Sequence, residues 1–338
     1  MSVALADVIA LVFLLAITAY STAGGVDFGA GIWDLLAGGT ERGRDARHLI
    51  DRAMAPVWEV NNVYLVLSIV LCWTAFPRLF QATFLSLYPL FSAALLGLIL
   101  RGAFFAFRHA TATLRTRRAA DVVFGVSSVL TPFFFAATLG AVASGNVGLG
   151  GPKASVWQAC FNPMSIAFGL VSVAATAFSG AVFLVGDARR YGCPEMVHYF
   201  RRRAIAAAVV LAAIGTLALV IIAVEKRDLL LRMIAGPGVP FALATMVLTP
   251  AVAFLLWRGI FRWYRVLAVA AVGSLVLSWG FAQAPYLLPT ELTITEAAPP
   301  TPTAVLLIVV ALGIVLVIVP AIGLLIYLDQ RGALESPT

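Results

Sequence analysis

The chain is 338 residues long, 62% hydrophobic and only 12% charged, with a mean hydropathy of +0.99. A soluble core of this size does not need that much apolar surface, whereas a polytopic membrane protein does. The formal charge of +7 sits in arginine clusters between apolar runs, which is a membrane-topology pattern and excludes a nucleic-acid partner.

Windows of about 20 apolar residues predict nine spans. They lie near 5–36, 57–77, 80–102, 119–143, 155–186, 204–224, 239–257, 265–284 and 304–328. The fold class is therefore all-α, with nine transmembrane helices expected as two four-helix bundles plus one peripheral helix. The bundles are expected over 1–143 and 155–284, and the ninth helix with its tail over 304–338. The only hints of internal similarity are "PVWE" at 56–59 and "SVWQ" at 155–158. The first span is not read as a cleaved signal peptide. Its first cation is Arg42, and its apolar run outlasts an h-region.

That first span ends in "GGVDFGAG", residues 24–31. Each mid-helix glycine costs about 1 kcal/mol relative to alanine, and an aspartate at a bilayer centre costs about 2.5–3.5 kcal/mol. Gly24, Asp27, Gly31 and Asp34 are spaced 3, 4 and 3, so they share one helix face. Gly25 and Gly29 form a small-xxx-small surface suited to close helix packing. One reading is a packing motif with a hydrogen-bonded aspartate. The favoured reading is a protonatable stripe, because two carboxylates aim at one place.

The second span brings Glu59, Asn61 and Asn62, and the third brings Arg101. Glu59 is seven residues from Arg52, and Arg101 is seven from Arg108; both fall about 10 Å inside the cationic rim. Asp34, eight residues before Arg42, reaches a similar depth. The expectation is one layer of Asp34, Glu59 and Arg101, with Asp27 one to two turns deeper. Arg101 is then the charge partner of Glu59, the two asparagines support that glutamate, and Asp27, further from the cation, exchanges protons. The three carboxylates form a candidate proton path.

Further along, "EKRDLLLRM" (225–233) suggests a short amphipathic surface helix. "TEAAPPTPT" (295–303) suggests an extended connector before the last span. Cys72, Cys160 and Cys193 show no paired or metal spacing and read as packing residues. His48, His109 and His198 fall in loops or at helix ends, away from the depth of a haem-ligating histidine; no haem or metal is expected on this chain. Seventeen Lys and Arg fall on the side holding loops 1–2, 3–4, 5–6, 7–8 and the tail, and five on the other. The positive-inside rule then puts the amino terminus outside and the carboxyl terminus in the cytoplasm of a bacterial cell membrane.

With these residues placed, the sequence resembles subunit II of the cytochrome bd quinol oxidases. That family's first helix carries Gly-Phe-Asp-x-Gly-x-Gly, and residues 25–31 read "GVDFGAG". Its second helix opens Pro-x-Trp-Asp-Gly-Asn, and residues 56–65 read "PVWEVNNVYL". Its third helix ends in arginine and an aromatic-rich turn, matched by "LRGAFFAFR" (100–108), and its fifth often bears Asn-Pro, matched by Asn162 and Pro163. Gly24, Glu59-Val60 and Ala106 depart from positions where relatives carry Asp, Asp-Gly and an acidic residue.

The resemblance implies a non-haem subunit that scaffolds a haem-bearing subunit I, in which haem b and haem d reside. It implies quinol and oxygen as reactants of the complex and small accessory membrane subunits as further partners. A quinone or lipid bound in the bundle and a cytoplasmic proton route through this chain also follow from it. From another class, a proton-coupled secondary transporter fits the intramembrane carboxylates and glycine-broken helices, although no inverted repeat supports it.

Overall fold

The computed structural model describes residues 3–38, 43–54, 57–110 and 114–330. Among the described residues the architecture is helical apart from two small hairpins. With no water to satisfy the backbone in hydrocarbon, an apolar chain closes its hydrogen bonds within each segment. Seven described helices are long and apolar enough to cross a membrane. These are α1 (Val3–Leu35), α4 (Pro77–Ala110), α5 (Leu114–Ala143), α7 (Pro163–Arg190), α8 (Pro194–Glu225), α10 (Val239–Arg258) and α11 (Tyr264–Gln283). Two further apolar stretches are described, Asn61–Ala75 within α3 (Val57–Ala75) and Thr301–Ile314 within α13 (Thr301–Gln330), each helix continuing into residues whose side chains are not described. They correspond to the second and ninth predicted spans.

The remaining elements are short. They are α2 (Arg44–Met54), α6 (Val156–Cys160), α9 (Arg227–Ala235), α12 (Ile294–Ala297) and two small hairpins. The first hairpin pairs β1 (Val147–Gly148) with β2 (Gly151–Pro152), and the second pairs β3 (Tyr286–Leu288) with β4 (Leu292–Thr293).

Helix α7 is the axis of the molecule. It packs against α1, α5 and α8, and most of its residues are buried. The α1–α7 crossing is made by glycine on both sides. A Cβ at Gly29 would lie 2.2 Å from the carbonyl oxygen of Thr176, and one at Gly180 would lie 2.4 Å from the backbone of Gly29. Trp33 fixes the same pair by donating its indole N–H to the Ala177 carbonyl at 2.8 Å. Across the other face of α1, Gly280 of α11 receives Leu14. Helices α4 and α5 form a second tightly packed pair, and α7 and α8 a third.

Several boundaries differ from expectation, each for a local reason. The span expected over 155–186 is two helices. Asn162 accepts the Ser165 N–H at 3.0 Å as N-cap and Pro163 occupies the first turn, so the chain restarts there. Helix α4 is interrupted at Leu87 (φ −118°, ψ 19°), just before Pro89, whose ring cannot continue the ladder smoothly. The connector expected to be extended over 295–303 contains α12, opened by a Thr293–Glu296 capping box. The amphipathic surface helix at 225–233 is present as α9.

A candidate buried charge site

Asp27 and Arg101 meet at the crossing of α1, α4 and α5, each 1% exposed. Arg101 Nη1 donates to Asp27 Oδ2 at 2.7 Å, and Nη2 donates to Oδ1 at 3.0 Å. Nη2 also reaches the Asp27 carbonyl at 2.9 Å, while Nε donates to Ser128 Oγ at 2.9 Å. This is the fork geometry that only a guanidinium offers a carboxylate. The rings of Phe28 and Phe124 flank the guanidinium at 4.7 and 4.8 Å, so an apolar and aromatic shell excludes water around a satisfied pair.

The glycines of the motif make room for these partners. At Gly31 a Cβ would lie 2.1 Å from Ser128 Oγ, the atom that receives Arg101 Nε. At Gly24 a Cβ would press on Asn61 at 3.1 Å. Asn61 in turn donates to Asp27 Oδ2 at 3.4 Å. At Gly24 and Gly31 the cost of a mid-helix glycine is offset by the approach of a side chain that engages the ion pair.

This corrects the expected arrangement. Arg101 is the direct partner of Asp27, not of a layer from which Asp27 stands apart. Depth counted along separate helices does not register how the helices cross, and the crossing brings residues 27 and 101 together. The side chain of Glu59 lies outside the described residues. Asn62 is half-buried and faces a groove between α3 and α4 beside Leu98 and Ile99. Gly25 lies against Ser179 of α7.

Asp34 lies seven residues further along α1, about 10 Å from Asp27 by helix rise. Its side chain is fully buried, and Arg47 Nε of α2 approaches Oδ1 at 3.8 Å. The same guanidinium donates to the Gly38 carbonyl, so α2 is clasped across the end of α1. Helix α2 buries Ala46, Leu49 and Ile50 and turns its charged face outward. Sequence reading missed Arg47 and Ser128. The Ser127-Ser128 pair within the membrane-spanning part of α5 was the available signal for the second; nothing local marked the first.

A cavity of about 580 Å³ lies among α1, α3, α4, α5, α7 and α11, reaching Gly24 and Phe28 at the edge of the charge site. Its walls are largely apolar and aromatic, including Phe84, Phe91 and Phe135. Three polar atoms of its lining, Tyr20 Oη, Trp279 Nε1 and Gln283 Nε2, are buried with no hydrogen-bond partner among the described residues. Trp279 and Gln283 are one turn apart on α11. His48 and His198 are exposed and do not line this cavity, and His109 lies outside the residues whose side chains are described.

Residues 5–328 match the family model described as cytochrome bd terminal oxidase subunit II. A curated relative, the putative cytochrome bd menaquinol oxidase subunit II of Bacillus subtilis (strain 168), is 31% identical over 116 residues. That match covers 33% of this chain and 32% of the relative, about a third of the relative's length. Among solved structures, the bd oxidase from Geobacillus thermodenitrificans aligns with a TM-score of 0.72 at 22% identity. The alignment covers 96% of this chain and 98% of the matched one and shows a shared fold. The chain belongs to the cytochrome bd terminal oxidase subunit II family.

Proposed function

We propose that this chain is the non-haem subunit II of a membrane complex that oxidises quinol and reduces oxygen to water. In this reading a partner subunit I carries haem b and haem d, and this chain scaffolds it within a bacterial cell membrane. The family match over residues 5–328 carries the reading, and it displaces the transporter alternative. The four, four and one grouping of spans, the external amino terminus and small accessory subunits belong to the same proposal.

The geometry suggests a division of labour among the carboxylates. Both Asp27 oxygens receive guanidinium N–H donors, so Asp27 and Arg101 serve as a fixed charge pair joining three helices. Asp34 lies nearer the clasp of α2, where Arg47 is 21% exposed, and is the better placed to take up protons. Glu59 remains a proton-path candidate from the sequence. A quinone or lipid is a fitting occupant of the cavity, since a carbonyl or ester group would accept from Tyr20, Trp279 or Gln283.

The test is oxygen consumption by the purified complex, normalised to haem, beside potential generation in proteoliposomes. Asp34→Asn is expected to slow turnover while assembly and haem content hold. Wild-type values in both assays would place proton uptake in the partner subunit. An assembly without haem would remove the oxidase reading itself.

A further inference from the structure

The exposed apolar side of α10 ends beside a group of arginines. Leu243, Met246, Val247, Phe254 and Trp257 are all at least half exposed, and their three- and four-residue spacing lays them along one face. At the end of this stripe stands Arg258, its guanidinium carbon 5.4 Å from the Phe254 ring and 5.3 Å from the Trp257 ring. The chain then reverses through Gly259 (φ 73°) and Trp263 (φ 64°). A left-handed tryptophan is sterically costly, yet this one is 68% exposed. The turn between them displays Ile260 and Arg262 to the outside.

A third arginine completes the cluster. Arg201 of α8 donates to the Trp257 carbonyl at 3.1 Å, and its Nη1 lies 3.9 Å from where a Cβ at Gly259 would stand. The nearby carboxylate of Asp187 is already held by Arg265. Among the described residues, no carboxylate pairs with Arg201, Arg258 or Arg262. Arg201 and Arg258 thus flank the end of α10 and Arg262 follows four residues on in the exposed turn, with no carboxylate partner among the described residues. They stand at the head of an apolar helix face that carries the exposed Trp257 and is followed by the exposed Trp263.

We propose that Arg258, Arg262 and Arg201 bind the phosphate of an anionic phospholipid, with its acyl chains lying along the exposed face of α10. Guanidiniums match phosphate geometry through paired N–H donors, and tryptophans favour the headgroup level of a bilayer. The stripe running away from the arginines favours a lipid over free phosphate. Its length and apolarity also favour a lipid over an acidic loop of another protein.

The full-length chain, purified with whatever it assembles with, is melted in detergent with phosphatidylglycerol, phosphatidylcholine or inorganic phosphate. Phosphatidylglycerol is expected to raise the melting temperature, and the other two to leave it nearly unchanged. Native mass spectrometry is expected to show retained phosphatidylglycerol. At about 1 kcal/mol per cation near a charged headgroup, equivalent to about fivefold each, the Arg258→Gln/Arg262→Gln variant loses retention by about tenfold or more. Both side chains are exposed, and the headgroup comparison on the unaltered chain decides the matter if the variant folds poorly. Equal shifts with phosphatidylcholine or phosphate, wild-type retention by the variant, or an acidic polypeptide crosslinking at this turn in place of lipid would overturn the proposal.

Discussion

Arg101 closes around Asp27 across 74 residues of sequence, making two contacts to the carboxylate and one to its backbone carbonyl. The pair ties α4 to α1, and Ser128 adds α5 through the guanidinium Nε. Removing either partner leaves a buried charge without compensation.

Arg101→Leu is therefore expected to destabilise the chain by about 3–5 kcal/mol. Asp27→Asn should cost a comparable amount, since it strands the arginine. Arg101→Lys keeps the charge but loses the fork and should fall between. In thermal unfolding, the Asp27→Asn/Arg101→Leu double variant should lose less than the two single losses combined. Strict additivity would show that the two residues do not depend on each other.

Gly29→Ala should cost about 1–3 kcal/mol, because its new methyl would meet the backbone of α7 and force the crossing apart. Gly25→Ala should be milder, since its Cβ would meet only the Ser179 side chain at 3.3 Å. Melting temperatures of the two variants in the same detergent check the order.

Ala136→Trp places a large ring in the cavity among α1, α3, α4, α5, α7 and α11. It should displace most of any quinone or lipid held there, read by solvent extraction and chromatography of the purified protein. Undiminished recovery of such a molecule would place its site elsewhere.

Glu291 receives Lys153 Nζ at 2.8 Å and the Leu149 N–H at 2.8 Å, which joins the two hairpins. The Lys153 hydrogen bond, followed by the backbone N–H, holds its carboxyl below the usual value. The folded form thus gains stability above the unfolded pKa and loses it as pH falls through the lower folded one. For this partly exposed pair the gain is about 0.2–1 kcal/mol. Glu291→Gln should remove that portion of the acid dependence of melting; an unchanged acid limb would show that the latch contributes nothing.

The cation asymmetry predicts that a cysteine at Thr301 labels from outside intact cells and one at Ala110 only after the membrane is opened. Reversed accessibility would invert the orientation of the whole chain.

What the sequence determined by itself is what one-dimensional pattern controls. Apolar run length and the requirement for internally satisfied backbone give the membrane helices. Glycine spacing marks the packing face of α1. The ordered motifs around Asp27, Trp58, Arg101 and Asn162 point to the family that the match over residues 5–328 shows. The small hairpins and the break before Pro163 were not legible in run length, because their cause is a cap or a turn of a few residues.

Only the tertiary structure decided which charge meets which. Counting residues from a cationic rim fixes depth along each helix separately and says nothing of rotation or tilt. Glu59 and Arg101 have equal depth by that count, yet the fork of Arg101 closes on Asp27. The choice depends on how closely α3 and α5 approach α1, with Gly24 admitting Asn61 of α3 and Gly31 admitting Ser128 of α5, the residue that receives Arg101 Nε. Likewise Arg47 reaches Asp34 because α2 buries Ala46, Leu49 and Ile50. Partner choice inside a membrane is a matter of distances between helices, and the sequence of any one helix does not contain them.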